Sequence, residues 1–298
     1  MAKRGPSRKI VWITLWIAIA VLGLWLTWLY LKDLSFPLIQ TKGIVAHQQI
    51  ALFYIAMALM LIIVIPVFAM AIIFPLRYRE KHAKKRYQPH WQDNRLLEFV
   101  YWGVPVIIIT ILGTITWYSS HSLDPFRPLD SDKTPVKIQV VALEWKWLFI
   151  YPEARVASVN EIAFPAKRPV EFEITSDAPM NSFQIPALGG QIYAMSGMRT
   201  KLHLMADKPG AHRGFTNNLS GEGYADMNFM AYSKTEKDYA AWITQAKSSR
   251  KVLDMTHYKK LASPQKRKAP VMYYGSTDPS LYDTIVDKYM GHSMEEAH

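Results

Sequence analysis

The residues that could do chemistry are few in kind. The 298-residue chain has 14 Met and nine His but no Cys. That removes disulfides, thiolate metal ligands and Cys nucleophiles together. Met180, Met195, Met198, Met227 and Met230 carry thioethers, which suit Cu(I). Methionine also fills irregular gaps in apolar cores. With no thiolate and no His pair at metal-ligand spacing, packing is the better reading of all five. His203 in "TKLHL" alternates with apolar neighbours and reads as a strand residue, while His292 and His298 lie in a polar tail. No glycine-rich phosphate loop or catalytic triad stands out.

Three further features ask for an explanation. The stretch "NNLSGEGYADMNFMAY" (217–232) has the glycines and the closing Met227 and Met230 of a metal-holding loop, yet it contains neither Cys nor His. "EWKW" reads as strand, which puts Trp145 and Trp147 on one face as core or interface packing, with Lys146 on the other. Glu98 opens an apolar run in "NRLLEFVYWGVP". It is either a carboxylate favoured by a helix N-terminus or an acidic group at membrane depth, which is a functional candidate by default.

The elements that position these residues follow from hydropathy. A bilayer core needs about 20 apolar residues in a helix. Ile10–Leu31, Ile50–Phe74 and Leu96–Tyr118 each qualify, and Pro66 and Pro105 are tolerable inside packed membrane helices. The first segment follows a basic stretch, as a signal peptide would. Its apolar run is too long for one and no small-x-small cleavage site follows, so it reads as a retained helix. The formal charge of +11 is concentrated beside these segments: residues 1–118 hold 13 Lys/Arg against 4 Asp/Glu, and residues 119–298 hold 22 against 20. This is the positive-inside pattern rather than a nucleic-acid-binding face. It places the N-terminus and the 76–95 loop inside, the 32–48 loop outside, and residues 119–298 outside.

Residues 119–135 are polar and proline-bearing, as a linker would be. From Val136, "VKIQVVALEWKWLFIY" reads as one long strand. "EIAFP", "PVEFEITS", "NSFQIP", "QIYAM" and "TKLHLMA" follow as short strands split by turn residues, which predicts a sandwich or barrel. "KTEKDYAAWITQAK" (234–247) predicts a helix, and the aromatic-rich 271–290 tail should pack back on the domain. The expected organisation is an N-terminal segment and outside loop (1–48), a membrane hairpin (49–118), a linker (119–135), a β-domain (136–235) and a C-terminal helix and arm (236–298).

A membrane hairpin followed by "EWKWLFIYPE" and "NEIAFPAKRPVEFEITSDAPMNSFQIPALGGQIYAMSGMRTKLHL" resembles subunit II of the haem–copper respiratory oxidases. The likeness is greatest to the cytochrome bo-type, ubiquinol-oxidising branch and covers roughly residues 43–290. It implies an α+β membrane protein: N-terminal transmembrane helices, then a cupredoxin-like Greek-key β-sandwich. Family members that oxidise cytochrome c hold two coppers in this domain, on two Cys, two His, a Met and a backbone carbonyl. By motif, the first His position falls on Asn181, the Cys positions on Leu219 and Gly223, and the carbonyl position on Gly221. The second His position falls on Met227 and the Met position on Met230, the one side-chain ligand whose identity is kept. The resemblance therefore implies no copper here, with Leu219, Gly221, Gly223 and Met227 kept as packing and turn residues.

The implied role is a non-redox subunit of a proton-pumping ubiquinol oxidase, multi-pass in the bacterial inner membrane with its large domain in the periplasm. Its partners would be oxidase subunit I, other oxidase subunits, membrane lipid and, through the complex, quinol. Haems and the active-site copper would belong to subunit I. The family places a subunit II Glu where Glu98 lies, at the mouth of a proton-uptake channel. A membrane-tethered cupredoxin-like binding or assembly protein would share the fold, since fold does not fix function. A cytochrome c oxidase subunit II is disfavoured by the missing thiolates. Many quinol-branch relatives begin as lipoproteins, for which this chain lacks the Cys.

Overall fold

The computed structural model describes residues 22, 23, 25–29, 40–78, 94–264 and 269–290. Contacts divide the chain into two units, Met1–Gln40 and Thr41–His298. In the first, residues 22, 23 and 25–29 are helical. The rest of the expected Ile10–Leu31 helix, most of the basic 76–95 loop, and His292 and His298 lie outside the described residues.

The second unit begins with two helices, α1 (Ile44–Arg77) and α2 (Arg95–Ser122). Among the described residues, these are the two long and apolar enough to cross a membrane. Their side chains are almost all exposed within the chain, as expected for surfaces that meet lipid or another subunit. α2 starts at an Asn94 cap, whose Oδ1 accepts from the Leu96 and Leu97 amides at 3.1 and 3.2 Å.

α1 begins six residues earlier than hydropathy predicts, at Ile44 rather than Ile50. The extra turn docks one side on the β-domain. Val45 and Ala46 are buried. The Ile44 and Ala46 amides, unpartnered within any helix, donate to Met205 O at 3.4 Å and Leu188 O at 3.1 Å. The approach is close enough that a Cβ on Gly189 would lie 2.6 Å from the Ala46 nitrogen. α2 likewise extends to Ser122, into the expected linker.

The β-domain is a two-sheet sandwich. Its strands are β1 (Val136–Leu143), β2 (Lys146–Tyr151), β3 (Val156–Val159), β4 (Glu161–Pro165), β5 (Val170–Ser176), β6 (Asn181–Gln184) and β7 (Gln191–Ala194). β8 (Thr200–Leu204), β9 (Gly210–Phe215) and β10 (Asn228–Lys234) complete the sandwich proper. After it come α3 (Glu236–Lys247), β11 (Val252–Leu253), α4 (Met255–Ala262), β12 (Met272–Tyr274), β13 (Ser276–Thr277) and α5 (Leu281–Met290). One sheet runs β12-β3-β2-β1-β5-β8 and the other β4-β10-β9-β6-β7. Between them lie Trp147, Phe149, Phe172, Phe183 and Phe229. Phe183 and Phe229 stack with centroids 5.2 Å apart.

Residues 136–151 are not one strand. β1 and β2 form an antiparallel hairpin in which Leu143 pairs Lys146 across Glu144–Trp145. Trp145 sits at φ 59, a left-handed conformation unusual for a bulky residue. Trp145 and Trp147 therefore do not share a strand face: Trp147 is in the core and Trp145 is in the turn.

The C-terminal arm covers the outer face of the first sheet. β12 pairs β3, and Tyr258, Leu261, Tyr274, Leu281, Tyr282, Ile285 and Val286 pack on Val141, Leu143, Leu148 and Ile150. Every residue of β2 is consequently buried. Lys146, expected on an open face, is buried too. Its Nζ donates to Leu261 O at 2.7 Å and Ser263 O at 2.9 Å at the end of α4.

Candidate functional site

The 217–232 segment leaves β9, makes one 3-10 turn over Tyr224–Asp226 and enters β10. Its start is fastened to β6. Thr216 Oγ1 donates to Asn181 Oδ1 at 3.3 Å and accepts from the Ser182 amide at 3.2 Å. The Asn217 amide donates to Ser182 Oγ at 2.7 Å, and its Nδ2 reaches Gln184 Oε1 and Gln191 Oε1. Asn181 is fully buried, and its Nδ2 donates to Pro179 O at 2.7 Å.

The middle of the loop lies over the indole of Trp145. Trp145 Nε1 donates to Ser220 O at 3.2 Å. Gly221 has φ 113, which only glycine adopts without strain. A Cβ at Gly223 would fall 2.3 Å from Cδ2 of the Trp145 ring, where no side chain fits. Met227 is buried in the core, and the half-buried Met230 donates its amide to Asn160 O at 3.1 Å. Leu219 departs from expectation: it is 82 % exposed, because the loop fastens on either side of it at Asn217 and Ser220.

The donor set does not fit a pair of coppers. Leu219 and Gly223 bring no thiolate, Asn181 is occupied in amide hydrogen bonds, and the indole takes the space a side chain at Gly223 would need. Of the other methionines, Met180 and Met198 are exposed and Met195 is half-buried. Among the described residues no group of three His, Asp or Glu could hold a metal.

Glu98 is remote from this loop. It is exposed in the first turn of α2, and its amide bonds Asn94 O at 3.0 Å. The turns around it expose Leu96, Phe99 and Trp102, an apolar surface. Twenty-four residues of helix separate it from Ser122 at the β-domain end, about 36 Å of rise.

Sequence reasoning missed a second polar centre, under the arm. The Asp177 carboxylate accepts from Tyr258 Oη at 2.6 Å, Lys288 Nζ at 2.7 Å and Tyr289 Oη at 2.5 Å. Burial opposes its ionisation, but these three donors outweigh burial and hold it below the usual carboxylate range. Only the aromatic content of the tail hinted at it. His203, as expected of a strand residue, is buried in β8 with Nδ1 2.9 Å from Pro125 O. His212 is buried beside Ser233 Oγ, and burial, with Lys42 nearby, pushes its pKa down to about 4.

Residues 109–233 match the family "Cytochrome C oxidase subunit II, periplasmic domain", and residues 247–293 match the "COX Aromatic Rich Motif". Cytochrome bo(3) ubiquinol oxidase subunit 2 of Pseudomonas putida is 48 % identical over 88 % of this chain and 83 % of its own length. The chain belongs to the ubiquinol oxidase subunit 2 family. The Pseudomonas aeruginosa relative is 44 % identical over 98 % of this chain and 85 % of its own. Among solved structures, the periplasmic domain of subunit II of cytochrome oxidase from Bradyrhizobium japonicum aligns with 41 % of this chain and 97 % of its own, at 23 % identity and a TM-score of 0.38. The aromatic-rich match covers the C-terminal arm, whose described residues pack on the first sheet.

Proposed function

We propose that this chain is the non-redox subunit II of a proton-pumping quinol:oxygen oxidoreductase in a bacterial inner membrane. It caps subunit I with its periplasmic domain and binds it through α1 and α2. Haems, the active-site copper and the quinol site belong to subunit I. The observation that carries this reading is the seating of Trp145 on Gly223, which by motif is a position where copper-bearing subunits need a thiolate side chain. Without that copper there is no entry port for electrons from a soluble cytochrome. A lipid-soluble donor reaching subunit I from the membrane is what such a chain serves.

The test is purification from native membranes in mild detergent. A haem-containing subunit should accompany the chain, with quinol oxidase activity and no copper beyond that of subunit I. A monodisperse, haem-free monomer would favour a solitary binding or assembly protein, and stoichiometric copper on the isolated chain would overturn the reading. We further propose that Glu98 collects protons from the cytoplasmic side for oxygen reduction. Glu98→Gln should lower turnover and proton uptake together, and unchanged values for both would sink that role.

A further inference from the structure

A cavity of about 600 Å³ opens where α1 and α2 meet the β-domain. That volume is in the range of small-ligand sites. Its walls change character along the helix axes. Leu52 and Ile55 of α1 form an apolar end, and Gln48 and Ser122 stand one to two turns nearer the domain. On α2, Trp117 and Tyr118 are exposed just before this level, where aromatic residues mark the membrane–water boundary. The cavity thus spans the step from acyl chain to headgroup.

Its polar end carries both signs of charge, from Asp124, Arg127 and Asp130 on the turn after α2. Among the described residues, Arg127 and Asp130 make no ion pair or side-chain hydrogen bond, and Asp124 Oδ1 accepts only from the Phe126 amide at 2.9 Å. A cation and two carboxylates line one cavity without neutralising each other. An anionic lipid would satisfy Arg127 and be repelled by the two aspartates. A headgroup with a phosphate and a primary ammonium answers both.

We propose that this cavity binds one zwitterionic phospholipid of the leaflet facing the β-domain, its phosphate on Arg127, its ammonium between Asp124 and Asp130, and an acyl chain along Leu52 and Ile55. The site rests on α1 and α2 spanning the bilayer. The lipid fills the joint between helices and domain, so it is retained when bulk lipid is washed away.

The test uses the intact oxidase, washed with detergent and exchanged separately with phosphatidylethanolamine and phosphatidylglycerol, with retained lipid read by native mass spectrometry. The parent complex should keep one more phosphatidylethanolamine than either Arg127→Glu or Ser122→Trp, which fills the cavity, while Arg127→Lys keeps it. Equal retention in parent and both variants, or a parent preference for phosphatidylglycerol, overturns the proposal. Should Arg127→Glu not assemble, Ser122→Trp decides alone. Haem content and quinol turnover, read in the same samples, report on the subunit assignment and are expected unchanged. Their absence from the parent would count against that assignment, not against the lipid site.

Discussion

Gly223→Ala is the sharpest perturbation of the 217–232 loop. Gly223 has φ −87 and ψ 4, a backbone that alanine adopts freely. On backbone grounds alone the change should stabilise by about 0.4–1 kcal/mol through the unfolded chain. The structure predicts the opposite sign. The new Cβ would lie 2.3, 2.4 and 2.6 Å from Cδ2, Cγ and Cε3 of Trp145, against an optimum of about 3.5–4.0 Å. The indole must retreat by roughly an ångström, which strains the Nε1 bond to Ser220 O. Overpacking of this kind costs about 1–3 kcal/mol and the lost bond about 1 kcal/mol. A net destabilisation of about 2 kcal/mol lowers the midpoint of a domain this size by roughly 4–8 °C. Calorimetry of the full chain in detergent would measure it, alone and in a Trp145→Ala background. Without the ring the same substitution should turn stabilising. Neutral or stabilising behaviour with Trp145 present would refute the claim that the indole fills this site.

Other outcomes follow from the polar centres. Asp177→Asn should cost about 3–5 kcal/mol, since it weakens three bonds to a buried carboxylate, and should speed hydrogen exchange in α4 and α5. Because the Asp177 pKa is depressed in the fold, its contribution is complete above the ordinary carboxylate pKa. That contribution is lost as pH falls through the lower folded value, and Asp177→Asn should abolish this part of the acid titration. His212 stays neutral in the fold down to about pH 4, so stability should be complete above pH 6.5 and fall by up to roughly 3 kcal/mol toward pH 4. A His212→Gln variant that keeps the same slope in urea titrations would contradict this. Lys146→Met removes the donor to Leu261 O and Ser263 O. It should loosen the arm, seen as faster proteolysis near 263, and unchanged cleavage would remove Lys146 from that role.

What was legible in the sequence was whatever one period or one motif encodes. The membrane helices are long apolar runs, and the short strands from "EIAFP" to "TKLHLMA" are bounded by Pro, Gly and Asn. The β1–β2 hairpin was hidden because its turn is Glu144–Trp145 rather than the Asn-Gly or Asp-Gly that left-handed geometry favours. Tertiary packing of the indole on Gly221 and Gly223 holds a turn that local propensity would not choose. The burial of Lys146 was hidden for a related reason. β2 is covered on both faces, so it shows no alternation, and its second cover arrives more than a hundred residues later in the chain. The early start of α1 could have been suspected from "ALGG", since paired glycines often mark a close backbone approach. Nothing local says that the approach is to Ala46. The exposure of Leu219 was hidden because an apolar residue between turn residues invites a packing assignment, whereas its neighbours take the fastening bonds.

The 217–232 loop is held in shape by bonds within the chain. In a metal-holding version, ligand bonds would organise the segment between β9 and β10. Here that work falls to Thr216 and Asn217 on β6 and to Trp145 on Ser220 O. Each such bond contributes only about 0.5–1.5 kcal/mol net, so the segment is fastened at its start and middle and left open between. Leu219 lies in the open part, exposed. Sequence drift is cheapest there, and it is restricted at Gly223 and Asn181, where a ring and a buried amide leave no room. Gly221 and Gly223 thus answer to Trp145, whose left-handed turn presents its indole to the loop at this end of the sandwich.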